Sequence, residues 1–238
     1  MATSGPAGIP ENLLLRTLPP ADRDALLARL EPVELAFRQI LHEAGAPITH
    51  VYFIEAGIVS HLPQLEEGQA VEVGLTGPEG LVGLDVALGG GTAVTRALVQ
   101  VPGRALRMTA EALRAEMANG GPLAAAILLF VRSMYAQTAQ VAACNARHGL
   151  IERMTRWLLM MHDRIRENRM PLTHDLISKM LGVRRSGVTL AIGALNKVGA
   201  VSQSRGTVTV LDRPGLEAAA CGCYGVIRRA TERLPGAS

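Results

Sequence analysis

Between Pro171 and Asp212 the chain reads PLTHDLISKMLGVRRSGVTLAIGALNKVGAVSQSRGTVTVLD, and few folds accept that order of signals. Thr173 is a good N-cap for a helix whose apolar face is Leu176, Ile177 and Met180. Gly182 follows directly after Leu181, where the chain must turn sharply. A second helix then runs through Val188, Ile192 and Leu195 and ends near Gly199. After it, AVSQ, a turn at Ser204-Arg205-Gly206 and TVTVLD make a hairpin in which Val208 and Val210 alternate. Helix, short glycine turn, helix and hairpin together predict a winged helix-turn-helix.

The chemistry of that unit points to double-stranded DNA. A second helix of this kind is narrow enough for a major groove, and its N-terminal side chains reach base edges. Here these are Arg184, Arg185, Ser186 and Thr189. Arginine grips guanine O6 and N7 with two hydrogen bonds, and hydroxyls bond phosphate or base. Lys179, Lys197 and Arg205 are placed to meet phosphates, and the N-cap residue Thr173 is counted with the DNA-binding residues. The alternative is a winged helix that contacts protein.

Charge divides the chain in the same sense. Of 24 Lys+Arg and 21 Asp+Glu, the residues up to Arg147 carry a balance of −4 and those from His148 onward a balance of +7. An acidic front and a basic back imply separate domains, the back one suited to a polyanion. The apolar fraction of 48% supports a packed core. The start, MATSGPAGIP, has no basic and apolar leader pattern, and the longest apolar run, Pro122 to Val131, is too short to span a bilayer. Three cysteines do not form a disulfide framework, so a reducing cytoplasm and no membrane are expected.

Residues 11–31 read as short helices broken at Pro19-Pro20, the second beginning at Asp22. From Val33 to Thr109 short β-branched segments are punctuated by Gly45, Gly57, Gly68, Gly77, Gly80 and Gly103. That spacing predicts an antiparallel β-domain of about eight strands, a jelly roll. Between Pro122 and Gly149 there is no Pro or Gly, which allows a helix of roughly 37 Å. Ile127, Met134 and Val141 repeat every seven residues, with Val131, Thr138 and Asn145 in the alternate positions. This pattern predicts a homodimer seam with Asn145 as a polar register residue; the alternative is a core helix packed on the barrel. Residues 149–169 form a further helix, with Leu150, Met154, Trp157, Leu158 and Met161 on one face and Arg153, Arg156, Arg164 and Arg166 mostly elsewhere. The expected fold class is α+β, divided into a sensor domain (1–118), a dimerisation helix (119–148) and a DNA-binding domain (149–238).

The winged-helix segment and HVYFIEAGIVS (residues 50–60) resemble the cyclic-AMP receptor protein and fumarate–nitrate regulator (Crp/Fnr) family of bacterial transcription regulators. The resemblance covers roughly residues 11–217. It implies a dimer on a pseudo-palindromic site, with RNA polymerase as a further candidate partner. The family's recognition helix usually starts Ser-Arg-Glu-Thr-Val-Ser/Gly-Arg. Here Arg185 matches the first arginine, Ser186 replaces the glutamate and Leu190 the second arginine, so the family's usual target sequence is not carried over. Gly187 inside the helix costs about 1 kcal/mol against alanine, which suggests close approach to a DNA backbone.

Cyclic-nucleotide members hold the ribose with the carboxylate of a Phe-Gly-Glu segment and the phosphate with an arginine. Aligned here, Gly83-Leu84 takes the first place and Thr95-Arg96 the second. Leu84 cannot accept from a hydroxyl, and Arg96, one residue late on a strand, points to the other face. No cofactor is expected, cAMP is disfavoured, and another small effector stays open. The runner-up function is a cyclic (di)nucleotide or other small-ligand receptor acting through protein contacts. Cys221-Gly222-Cys223 lacks a second ligand pair for zinc, and no metal site is expected. His42-Glu43 is no metalloprotease helix, and no nucleophile elbow or Walker loop occurs, so the chain is not expected to be an enzyme.

Overall fold

The computed structural model describes residues 10–65 and 71–236; the N-terminal leader reading and the turn at Gly68 lie outside the described residues. Two short helices open it, α1 (Leu13–Arg16) and α2 (Pro20–Leu27). Helix α2 starts at Pro20 rather than at Asp22, because proline at the first helical position gives up no hydrogen bond.

A six-stranded antiparallel sheet system follows: β1 (Glu31–Leu35), β2 (Ile40–His42), β3 (His50–Leu62), β4 (Gly74–Thr76), β5 (Leu81–Val82) and β6 (Arg96–Thr109), with the short helix α3 (Leu84–Ala87) before β6. The order is β1-β6-β3-β4, with β2 also on β6 and β5 on β3. The expectation of about eight strands miscounts because two long strands each read as two short ones. Gly57 and Gly103 interrupt the pattern without ending β3 or β6. A Cβ on Gly103 would lie 2.0 Å from the Ala56 carbonyl oxygen, and one on Gly57 2.6 Å from that of Val101. The register shifts on both sides of this crossing, so these glycines mark a bulge where two backbones meet.

Helix α4 (Ala110–Asn119) is capped by the Thr109 hydroxyl, which accepts from the Ala112 amide. Gly120 and Gly121, both at positive φ, turn the chain into the long α5 (Pro122–Arg147). Phe130 of α5 explains one glycine of the barrel corner. A Cβ on Gly80 would sit 2.0 Å from the Phe130 ring, so this corner is shaped by packing on α5. The remaining elements are α6 (Leu150–Ile165), β7 (Arg169–Met170), α7 (His174–Leu181), α8 (Arg185–Lys197), β8 (Val201–Ser204), β9 (Thr207–Val210), α9 (Arg213–Ala219) and α10 (Cys223–Glu232). Helix α6 stops at Ile165, short of residue 169, because Arg166 adopts the left-handed conformation that ends it.

One core gathers α6, α7, α8 and the β7-β9-β8 sheet around Trp157, Leu158 and Met161, and extends to Ile58, Leu62 and Leu75 of the barrel. A second joins α1, α4 and α5 to the other end of the barrel through Phe53, Leu113 and Phe130. Arg156, assigned by sequence to the polar side of α6, is buried at 2% exposure, its guanidinium 3.3 Å from Met160 Sδ.

Two residues of the predicted dimer seam face the chain's own core. Ile127 is fully buried in the second core and Val141 in the first, so neither is available to a partner. Val131, Met134 and Asn145 are half-buried and Thr138 is exposed. The 127/134/141 face of α5 is therefore its core face, and the face one residue further on is open. No single helix among the described residues is long and apolar enough to cross a membrane.

Candidate functional site

The candidate surface is built on α7, α8 and the hairpin. Thr173 caps α7 by accepting from the Leu176 amide at 3.2 Å. Gly182 takes φ 63°, ψ 42°, the left-handed conformation that turns α7 into α8 with little steric cost. Val188, Ala191, Ile192 and Leu195 are the buried stripe of α8. The opposite stripe presents Arg185, Ser186, Thr189, Leu190, Gly193, Asn196 and Lys197 to solvent. Arg184 is the N-cap residue of α8 and is also exposed. The helix therefore enters solvent with two adjacent guanidinium groups at its N-terminal end, where base edges would be met.

The hairpin turn places Arg205 (φ 47°) and Gly206 (φ 79°) both in the left-handed region, as a two-residue hairpin turn requires. Arg205 is thereby held at the wing tip, exposed. Helix and wing are tied by a polar chain: Thr189 Oγ1 lies 3.0 Å from His174 Nδ1, and His174 Nε2 bonds to the Gln203 side-chain carbonyl. Thr189, predicted as a reading residue, is therefore placed to brace α8 against α7 and β8. His174 and Gln203 were missed from sequence, since nothing local marks residues 29 apart as neighbours. Lys179 pairs with Asp175 one turn earlier at 3.0 Å, with both side chains more than half exposed, which screens it only weakly. Gly187 differs from expectation. Its missing Cβ points at Leu150 of α6, 3.0 Å away, so its smallness serves helix packing rather than approach to DNA.

In the barrel, Gly83 sits at φ 101° as the residue before α3, and a Cβ there would meet Val51 at 2.8 Å. Leu84 begins α3 and is half-buried, with no group to accept from a hydroxyl. Thr95 turns inward, 3.4 Å from His61 Nδ1, while His61 Nε2 lies 2.9 Å from the Thr76 hydroxyl. Burial pushes His61 down to about 4, so that ring is neutral at physiological pH. Arg96 is exposed and donates to Glu43 at 2.7 Å. Arg96 thus faces out and already has a carboxylate partner.

Beside the barrel lies a buried carboxyl. Glu72 accepts from Trp157 Nε1 at 2.8 Å, and its amide donates to the Met180 carbonyl at 2.9 Å. Burial raises it to about 7, against hydrogen bonds from Ser60 and Trp157 and the charges of Arg156 and Arg164. Glu79 accepts from Arg164 at 2.7 Å in a pair almost closed to solvent. These contacts join the barrel edge to α6 and α7.

The Crp-like helix-turn-helix domain model matches residues 152–219, and the cyclic nucleotide-binding domain model matches residues 32–119. A search of curated proteins returns no match. Among solved structures, the chain is similar to FixK2 from Bradyrhizobium japonicum, at 16% identity over 81% of this chain and 98% of that one, TM-score 0.69. It is similar to a transcriptional regulator of the Crp/Fnr family from Eubacterium rectale, at 18% identity over 87% and 96% respectively, TM-score 0.66. It is also similar to the c-di-GMP responsive global regulator CLP of Xanthomonas campestris, at 15% identity over 79% and 97%, TM-score 0.65. At such identities the likeness speaks for the fold, and the two domain models speak for its parts. A cyclic nucleotide-binding domain, a long helix and a Crp-like helix-turn-helix in that order make the chain a member of the Crp/Fnr family of DNA-binding transcription regulators.

Proposed function

We propose that the protein acts as a homodimer in the cytoplasm, each α8 lying in a major groove of a two-fold DNA site, rather than as an enzyme. The observation that carries this is the stripe on α8: Arg184, Arg185 and Ser186 at its mouth, and Leu190 at 77% exposure one turn further on. Leu190 suits apolar contact with a thymine methyl, where the family pattern has an arginine. Lys179, Lys197 and Arg205 supply phosphate contacts.

The dimer seam follows from the open face of α5. Ala125, Leu128, Arg132, Tyr135, Ala139, Ala142 and Ala146 alternate in steps of three and four and all lie on its solvent side. Leu128 at 53% and Tyr135 at 76% are large apolar groups left in water by a single chain, which a partner helix would cover. This seam is the predicted one moved along by a single residue.

The sensor does not use the cyclic-AMP mode, because Arg96 is turned out to Glu43 and Leu84 stands where a carboxylate would be. A different small effector and a contact with RNA polymerase belong to the same reading.

The test is binding to the protein's own promoter across a salt series. Several phosphate contacts per half-site should reduce affinity by orders of magnitude between about 50 and 200 mM salt, with own-promoter DNA preferred over random DNA. No preference under any condition, including titration with cAMP and cyclic di-GMP, would overturn the reading.

A further inference from the structure

The C-terminal helices bring together four side chains that sequence order keeps apart. Cys144 and His148 stand one turn apart at the end of α5, Cys221 lies in the connection between α9 and α10, and Cys223 opens α10. One donor atom from each lies within 4.8 Å of all the others. Cys144 Sγ is 3.5 Å from Cys221 Sγ, and Cys223 Sγ is 3.5 Å from His148 Nδ1. All three cysteines are buried, at 0%, 8% and 4% exposure, and together they form a small cluster of their own. The second ligand pair that the sequence around Cys221 and Cys223 lacks is supplied by the fold.

We propose that these four residues form a tetrahedral Cys3His site for a single zinc ion. Zinc holds thiolate sulfur at about 2.3 Å and imidazole nitrogen at about 2.0 Å, so the corners of its tetrahedron stand about 3.5–3.8 Å apart. The two 3.5 Å separations fall on that edge length. Thiolate and imidazole donors select zinc over hard cations such as magnesium or calcium. Donors gathered this closely enclose one ion rather than an iron–sulfur cluster. Gln140, one turn before Cys144, donates from Nε2 to Cys223 Sγ at 3.0 Å. A hydrogen bond to a ligand sulfur is the outer support that metal sites use to orient and stabilise a thiolate. On binding, the three thiols release three protons to solvent, and the zinc with three thiolates and a neutral imidazole carries one net negative charge.

The place of the site indicates its consequence. His148 and Gly149 are the entire connection between α5 and α6, and α10 packs on both helices. A zinc ion here ties the C-terminal helix to that joint with three elements in its grip.

The experiment uses full-length protein purified under reducing conditions without added chelator. Metal analysis should find about one zinc per chain. Cobalt(II) added to the zinc-stripped protein should give the intense visible bands of a tetrahedral site and the ultraviolet absorption of thiolate-to-cobalt charge transfer. Adding zinc should displace the cobalt and raise the melting temperature. Cys223→Ser should weaken the charge-transfer band and abolish the zinc-dependent rise. Gln140→Ala, which leaves all four ligands in place, should lower zinc affinity by about tenfold, and circular dichroism will show that both variants fold. Absence of stoichiometric zinc together with absence of tetrahedral cobalt bands would overturn the proposal. So would a Cys144–Cys221 disulfide found by mass spectrometry in protein alkylated at lysis.

Discussion

His61 of β3 and Glu72, just before β4, are shifted in opposite directions by the same cause. The Val73 amide donates to the His61 carbonyl at 3.0 Å. Burial lifts Glu72 to about 7 and lowers His61 to about 4. Between about pH 4.5 and 6.5 the folded chain therefore holds a proton on Glu72 and none on His61. The unfolded chain holds one on the histidine and none on the glutamate. The proton counts match, so the two slopes cancel in the wild-type protein. A raised carboxyl contributes stability below its unfolded value and loses it as pH rises to 7. A lowered histidine contributes stability above its unfolded value and loses it as pH falls toward 4. Glu72→Gln keeps an acceptor for Trp157 and removes the first slope. Relative to wild type, its stability should climb by about 1.4 kcal/mol per pH unit across this window, close to 3 kcal/mol in all. His61→Asn should tilt the profile the other way by a similar amount. His42, also lowered chiefly by burial, adds a rise common to all three proteins and drops out of the comparison. Urea unfolding at a series of pH values and fixed protein concentration will measure this. Fluorescence of Trp157, the one tryptophan in the chain, reports from beside Glu72. Parallel profiles for Glu72→Gln and wild type would refute the reasoning, because Glu72 would then be ionised in the folded protein.

Arg185→Ala and Lys197→Ala should separate reading from anchoring. The first should cost about 1–3 kcal/mol on the preferred site and relax specificity, whereas the second should weaken all sequences alike and reduce the salt slope by about one, as gel-shift titrations will show. Tyr135→Glu places a charge on the open face of α5 and should yield folded monomer by analytical ultracentrifugation. Val141→Glu, on the core face, should instead unfold the chain, and a soluble folded Val141→Glu monomer would contradict a seam through Leu128 and Tyr135. Glu79→Gln leaves Arg164 buried without its carboxylate, and thermal unfolding should register a loss of about 3–5 kcal/mol.

How much of this was legible in the sequence depends on the range of the interactions that fix each element. The winged helix was legible because its caps, its glycine turn and its apolar stripes are local, and α7, α8 and the hairpin follow from Thr173, Gly182 and Arg205-Gly206. The outward turn of Arg96 follows from strand alternation alone. The barrel was legible as antiparallel β but not in strand number, since Gly57 and Gly103 signal a turn locally and a bulge only when the partner strand is known. The core face of α5 was not legible because a heptad pattern does not say which apolar stripe meets the protomer's own core. Ile127 and Val141 look like dimer positions until Phe130, on the same side, is seen against Gly80. The group Cys144, His148, Cys221 and Cys223 was hidden because its two halves are more than seventy residues apart.

The contacts at the barrel edge bear on how a change in the barrel could reach α8. Helix α5 connects the two halves along the chain, but it is not their sole physical link. The segment from Glu72 to Glu79 bonds directly to Met180 of α7, Trp157 and Arg164 of α6. A buried carboxyl held by Trp157 and a buried ion pair are both costly to break singly. The barrel edge cannot shift relative to the winged helix without breaking them or carrying α6 along. These contacts hold α6 and α7 against the barrel edge, while the α5–α6 joint at His148-Gly149 lies against α10, with Cys223 3.5 Å from His148.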